Sequence, residues 1–240
     1  MKLTTVLFDL DGTLLPMDQD VFIKSYFGGL CKRLAPLGYE PKKLTEAIWQ
    51  STAAMVANNG SCLNEQAFWQ HFTKIFGEQS LSDLPAFEAF YQEDFDNVSK
   101  SCGYTPMAKE IISLLQSRGA RIALATNPIF PVIATQKRIR WAGLSTEDFE
   151  LYTTYENSCY CKPNLVYYQD ILRKMDVCAE ECLMVGNDVG EDMIAEELGM
   201  KVFLLTDCMI NKKNIDISRY PHGDFNALTD YINTIFPQKG

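Results

Sequence analysis

Only two histidines, His71 and His222, occur in the 240 residues, and no Cys-x-x-Cys pair does. The eight cysteines therefore lack the spacing of a zinc site or a dithiol redox motif. Cys159 and Cys161 have no imidazole near them in sequence. A chain of this length needs no disulfide to sustain a core, so the thiols are expected to be reduced, as in a cytoplasm. Runs of Lys and Arg are missing too, and the net charge is −9 with a pI near 4.8. Such a surface repels polyanions and excludes nucleic acid as an expected partner. Long apolar runs are absent, and the first short one is broken by Asp9. The N-terminal residues read as neither a signal peptide nor a membrane span, so no membrane partner is expected. Neither G-x-G-x-x-G nor a Walker-type loop is present, which argues against nicotinamide and nucleoside-triphosphate chemistry.

Hydrophobic residues make up 47% of the chain, enough for one large domain or one domain with a smaller companion. The first strand is expected near Thr4 to Phe8. From Asp20 to about Asn97 apolar residues recur at spacings of three and four, so the whole stretch, including "LPAFEAFYQEDF", reads as helical. After Tyr104 helices alternate with short apolar strands. "TPMAKEIISLLQSRG" has a Thr N-cap and Pro at the first helical position. "ARIALATN", "FELYTTYE", "ECLMVGND" and "KVFLLTD" read as strands. "IFPVIATQKRIRWAG", "NLVYYQDILRKM", "GEDMIAEELG" and the segment around Asn226 to Phe236 read as helices. This alternation predicts an α/β fold, a doubly wound Rossmann-like parallel sheet, with residues 1–17 and 100–240 as core and 18–99 as an inserted all-helical domain.

In such a sheet ligands bind beyond the carboxyl ends of the strands. Polar groups gather there: Asp9 with Asp11, Thr126 with Asn127, Asn187 with Asp188, and Asp207, while Lys162-Pro163 precedes a helix. Asp9 and Asp11 are like charges beside Val6, Leu7, Phe8 and Leu10, and a half-buried pair of that kind needs something to offset its repulsion. Carboxylates, a hydroxyl and an ammonium on one edge suit a metal plus a phosphoryl group.

"DLDGTLL", "LATN", "KP" and "GNDVGED", in that order, resemble the four motifs of the haloacid dehalogenase-like hydrolase superfamily, and the helical block matches the position of that family's helical cap. The resemblance spans about residues 5 to 206. It implies a phosphatase for a small phosphorylated metabolite, with Asp9 as nucleophile forming an aspartyl phosphate and Asp11 as general acid and base. Gly12 allows a tight turn next to the phosphate, and Thr13 would hold a carboxylate. Mg²⁺ is the implied cofactor, held by the Asp9 carboxylate, the Asp11 carbonyl and Asp188, with Asp192 sharing the metal or its waters. Thr126 and Asn127 would grip the phosphoryl group beside a helix start, and Lys162 would neutralise it and hold Asp9. One departure stands out: many relatives carry an acid directly after the last motif's glycine, where this chain has Asn187 and then Asp188.

Alternatives within the superfamily are a sugar phosphomutase and a phosphonate hydrolase, whose Schiff-base lysine would be Lys24, Lys42 or Lys43. A haloacid dehalogenase needs no acid at position 11. A non-catalytic phospho-ligand sensor is the reading outside enzymology. The aromatic residues of the helical block (Tyr26, Phe27, Trp49, Phe68, Trp69, Phe72, Tyr91) are expected to be bundle core. Phe22, Tyr26 and Lys24 are the expected substrate contacts, and His71 is expected to be structural or at the surface.

Overall fold

The run Thr-Val-Leu-Phe forms β1 (Thr5–Phe8), and all four residues are buried. A strand buried on both faces belongs at the centre of a parallel sheet. The computed structural model describes residues 2–236, so residue 1 and residues 237–240 of the expected core lie outside it. After β1 come α1 (Gln19–Leu34), α2 (Pro41–Val56), α3 (Asn64–Phe76) and α4 (Leu84–Ala89), then α5 (Pro106–Ser117) and β2 (Arg121–Leu124). The chain continues through α6 (Val132–Trp141), β3 (Leu151–Tyr152), α7 (Leu165–Met175), β4 (Cys182–Gly186), β5 (Lys201–Leu205), β6 (His222–Gly223) and α8 (Phe225–Ile235). Strand order is β3-β2-β1-β4-β5-β6, with every pairing parallel. Phe8 lies level with Leu124 of β2 and Val185 of β4. That register brings Asp9, Ala125-Thr126 and Gly186-Asn187 out at one edge, where the order of connections reverses.

Alternation along β1 sends Val6 and Phe8 to one face and Leu7 to the other. The first face merges with the helical stretch into one apolar cluster that holds Phe8, Leu10, Tyr26, Phe72 and Phe90. The second is covered by Tyr167, Tyr168 and Ile171 of α7. Each fully buried ring or aliphatic side chain of this kind contributes about 1.5–3 kcal/mol. Asp18 opens α1 by accepting from the Asp20 and Val21 amides at 2.9 and 3.0 Å. Thr105 caps α5, with Pro106 at its first turn, as its sequence predicts. Asp96 ties the helical stretch to the sheet side, pairing with the buried Lys137 and accepting from Trp141 Nε1 at 3.0 Å. Among the described residues no helix is long and apolar enough to cross a membrane.

Four local expectations are corrected. "LPAFEAFYQEDF" is not one α-helix: α4 gives way to a π-helix (Phe90–Asp94) and a 3-10 helix (Phe95–Ser101). Phe90 and Phe95 are five residues apart and both fully buried, so the widened turn keeps both rings on the same side. "GEDMIAEELG" forms only a 3-10 helix (Met193–Leu198), because Asp192 is drawn inward to Lys162 and Gly199 ends the turn at φ 93°. "FELYTTYE" pairs over Leu151–Tyr152 alone. Beyond it, Thr153 Oγ1 donates to the Thr126 carbonyl at 2.6 Å and Asn157 accepts from the Thr154 amide at 2.9 Å, which pulls the chain off the sheet. Finally, α6 begins at Val132 with Pro131 at its N-cap, so Thr126 and Asn127 sit on a loop upstream and not at the helix start.

Candidate active site

Asp9 leaves the end of β1 buried, with both carboxylate oxygens held. Lys162 Nζ donates to Oδ1 at 2.8 Å, and Thr13 Oγ1 lies 3.2 Å from Oδ2. The same hydroxyl lies 3.1 Å from Asn187 Oδ1, so its single proton serves two acceptors. Asn187 Nδ2 donates to the Cys208 carbonyl at 2.6 Å. The side chain of Asn187 thus fastens the Thr13 turn to the loop after β5. Gly12 makes room for it: at φ 87°, a Cβ there would stand 2.3 Å from Asn187 Nδ2.

Lys162 is fully buried between two carboxylates, Asp9 and Asp192, the latter at 2.6 Å. Burial alone would push its ammonium pKa down; Asp192 and Asp9 outweigh that and hold it well above the usual lysine range. Asp192 gives its other oxygen to the Asp188 amide at 3.0 Å. A Cβ at Gly186 would fall 2.1 Å from that oxygen, so the glycine of "GNDVGED" lets the carboxylate lie against the end of β4. Both Asp192 oxygens are engaged, and the residue holds Lys162 at the edge of the cavity. Asp188 accepts from the Gly190 and Glu191 amides at 2.7 and 3.0 Å through one oxygen and faces the same cavity as Asp9.

Asp11 is oriented by a residue that sequence reasoning missed. Arg138, fully buried in α6, pairs its guanidinium with Asp11 Oδ2. The guanidinium stacks over the Phe130 ring, 4.4 Å from its centroid, and donates to the Ala134 carbonyl and Thr135 Oγ1 at 3.3 Å. Asp11 Oδ1 is buried with no partner. Burial raises the Asp11 carboxyl pKa, Arg138 opposes this, and the charge of Asp9 adds to it. Asp11 lines the cavity, and a carboxyl with one oxygen pinned and the other unbonded can pass a proton to or from a group bound there. The signal for Arg138 was available: it sits three and four residues after Thr135 and Ala134, on the buried stripe of its helix, where an unpaired charge is costly.

Thr126 and Asn127 reach the cavity from the loop after β2. The Thr126 carbonyl is held by Thr153 Oγ1 and by Tyr167 OH at 2.9 Å. Asn127 Nδ2 donates to Glu191 Oε2 at 3.0 Å, while its own Oδ1 is buried without a partner. Glu191 was not singled out in the sequence. Asp207 is exposed and outside the cavity, contrary to its expected place in the constellation.

The cavity measures about 670 Å³ and runs from these groups into the helical stretch. Phe22 and Tyr26 line it as expected, but Lys24 is exposed and does not. Lys42 and Lys43 are exposed and also absent from its wall, so none of the candidate Schiff-base lysines reaches the site. The aromatic residues divide. Phe72 is core alone, whereas Phe27, Phe68, Trp69 and Tyr91 are both bundle packing and cavity wall; Trp49, expected in the core, is instead exposed at the cavity wall. His71 faces Ser51 at 3.4 Å, inside the helical stretch.

Comparison with known proteins bears on this arrangement. A model of the haloacid dehalogenase-like hydrolase family matches residues 3–197. A ribulose-1,5-bisphosphate 5-phosphatase of Halopiger xanaduensis is 27% identical over 213 residues, 84% of each chain. The crystal structure of a 2-haloacid dehalogenase from Pseudomonas syringae pv. Tomato DC3000 is similar with a TM-score of 0.64 at 19% identity, covering 97% of this chain and 99% of that one. The magnesium-bound HAD-hydrolase YfnB of Bacillus subtilis gives a TM-score of 0.57 at 16% identity, with 97% and 100% covered. At these identities the solved structures speak for the fold alone. The family match spans most of the chain and takes in Asp9, Asp11, Thr126, Lys162 and Asp188, and on it this protein is a hydrolase belonging to the haloacid dehalogenase-like hydrolase family.

Proposed function

We propose that this hydrolase is a Mg²⁺-dependent phosphatase that cleaves a small phosphorylated metabolite through an aspartyl phosphate on Asp9. It is a phosphoric monoester hydrolase, and the observation that carries the mechanism is the pair of carboxylates with different partners. Asp9 is held by Lys162 and Thr13 at the strand end, and Asp11 is pinned by Arg138 with one oxygen free. Asp9 attacks phosphorus while Asp11 gives its proton to the departing alkoxide; Asp11 then takes a proton from the water that opens the acyl phosphate. Lys162, Thr126 and Asn127 neutralise and orient the phosphoryl oxygens.

The residues fit a hard dication. Among the described residues no three Asp, Glu, His or Cys side chains converge as a ready cage. Magnesium commonly takes one or two carboxylates and completes its shell with water and phosphate. Asp9, Asp188 and the Asp11 carbonyl would hold it, with Asp192 sharing the metal or its waters, and these four residues line one cavity. When bound, it would offset the charge of the acids and of the phosphate. In this reading residues 18–99 are a cap domain over the core of residues 1–17 and 100–240, taken as far as the described residues 2–236 extend.

The test is phosphate release from a panel of phosphorylated metabolites with and without Mg²⁺, comparing wild type with Asp9→Asn. Metal-dependent release that vanishes in the variant is expected. Release by both proteins alike, or by neither, contradicts the reading. A mutase would instead return phosphorylated product, and a sensor would bind without turnover.

A further inference from the structure

The cavity behind Asp9 has two unlike walls. On the core side lie carboxylates, amides and the Thr126 hydroxyl. On the helical side lie the aromatic rings of Tyr26, Trp69 and Tyr91, and Glu65 and Glu88 supply the charge. Tyr26 and Tyr91 bond to each other through their hydroxyls at 2.8 Å, which leaves their rings, more than their polar tips, to meet a ligand. Among the described residues that line the cavity one is cationic, Lys212, and it is exposed on the core side. Buried Lys162 and Arg138 are already paired with Asp9, Asp192 and Asp11.

A second phosphate or a carboxylate on the substrate would need cationic donors to offset the loss of its water, since neutral donors leave its charge uncompensated. The helical wall offers it aromatic rings and two carboxylates, with the neutral donors of Gln19, Thr52 and Gln92 beside them. The Glu65 carboxyl pKa is raised by burial and then by the charges of Glu156 and Glu88, so this wall is already short of positive charge. At about 670 Å³ the space is also far larger than a two-carbon acid requires. We propose that the preferred substrate is the phosphate monoester of an apolar, ring-sized alcohol carrying no second phosphate or carboxylate. This rests on the phosphatase reading above. It separates the chain from its relative of the ribulose-bisphosphate type.

The test compares kcat/KM in Mg²⁺ for 2-phenylethyl phosphate, 2-phosphoglycolate and ribulose 1,5-bisphosphate. All three leave as primary alkoxides, so leaving-group chemistry does not set the order. Acetyl phosphate, whose acyl group is too small to fill the helical side, serves as the reference. Phenylethyl phosphate is expected to exceed the two anionic esters by about 10- to 100-fold. Glu65→Gln is expected to narrow that ratio by improving the anionic esters. Trp69→Ala is expected to narrow it by weakening the phenylethyl ester; Trp69→Phe repeats the comparison with less loss of packing. Equal or better turnover of either anionic ester, with acetyl phosphate hydrolysed, overturns the substrate class and leaves the phosphatase standing. No turnover of the three esters or of acetyl phosphate overturns the phosphatase reading and the substrate class with it.

Discussion

The two sides of the cavity are held together by different physics. At the sheet edge, Asp9, Thr13, Lys162, Asn187 and Asp192 come from three distant parts of the chain and are joined by charge and hydrogen bonds. On the helical side Phe68, Trp69, Phe72 and Phe87 pack edge to face at centroid distances of 5.2 to 5.5 Å, except for Phe68 and Phe72, which stack at 5.8 Å. A buried polar network fixes residue identity, because removing one member leaves another unpaired. Apolar packing fixes volume and tolerates exchange. The difference explains why the chemistry of this enzyme is written in motifs and its substrate preference is not.

The largest effect is expected where the network is most buried. Lys162→Met leaves Asp9 and Asp192 facing each other without a cation. It should cost about 3–5 kcal/mol in denaturant unfolding and abolish phosphate release. Retained stability would mean that the pair is better solvated than its burial indicates. Next comes Arg138→Met, which frees Asp11 from its anchor. Loss of about 10²-fold in kcat is expected, and Arg138→Lys should recover little of it, since an ammonium cannot reproduce the fork stacked on Phe130. Unchanged kcat in Arg138→Met would make Arg138 purely structural.

Asn187→Asp supplies the acid that many relatives carry, yet here it should destabilise by about 1–3 kcal/mol. The new carboxylate would point an acceptor at the Cys208 carbonyl, which now receives the amide at 2.6 Å. Tighter magnesium binding by this variant, measured by titration calorimetry, would show that the site can rearrange to use the acid. The smallest effect lies at the rim of the helical side. Lys24→Ala should leave kcat/KM unchanged for every ester, because Lys24 is exposed outside the cavity. A change there would bring the residue back as a substrate contact.

Much of the fold was legible because the β1, β2 and β4 runs are short, apolar and bounded by polar residues, and because Thr105-Pro106 and Asn164 signal helix starts. Asp9, Asp11, Thr126, Asn127, Lys162 and Asp188 were legible as a set because strand ends converge in a doubly wound sheet. What the sequence hid depends on three-dimensional choice. Asp192 turns to Lys162, and the missing side chain at Gly186 leaves room for its carboxylate. Arg138 reads as one basic residue in "QKRIR" until the helix is placed against Asp11. The π-turn at Phe90–Asp94 keeps two rings buried at a five-residue spacing that the α-helical period does not accommodate.

The central claim is that Asp9 carries the phosphoryl group while Asp11 moves the proton. The most direct measurement is rapid acid quench during turnover of a hydrolysed ester, followed by peptide mass analysis of wild type, Asp11→Asn and Asp9→Asn. The account predicts a phosphoryl group on the peptide containing Asp9, mapped to that residue, enriched in Asp11→Asn and missing in Asp9→Asn. A phosphoryl group on any other residue, or release that persists in Asp9→Asn, would contradict it.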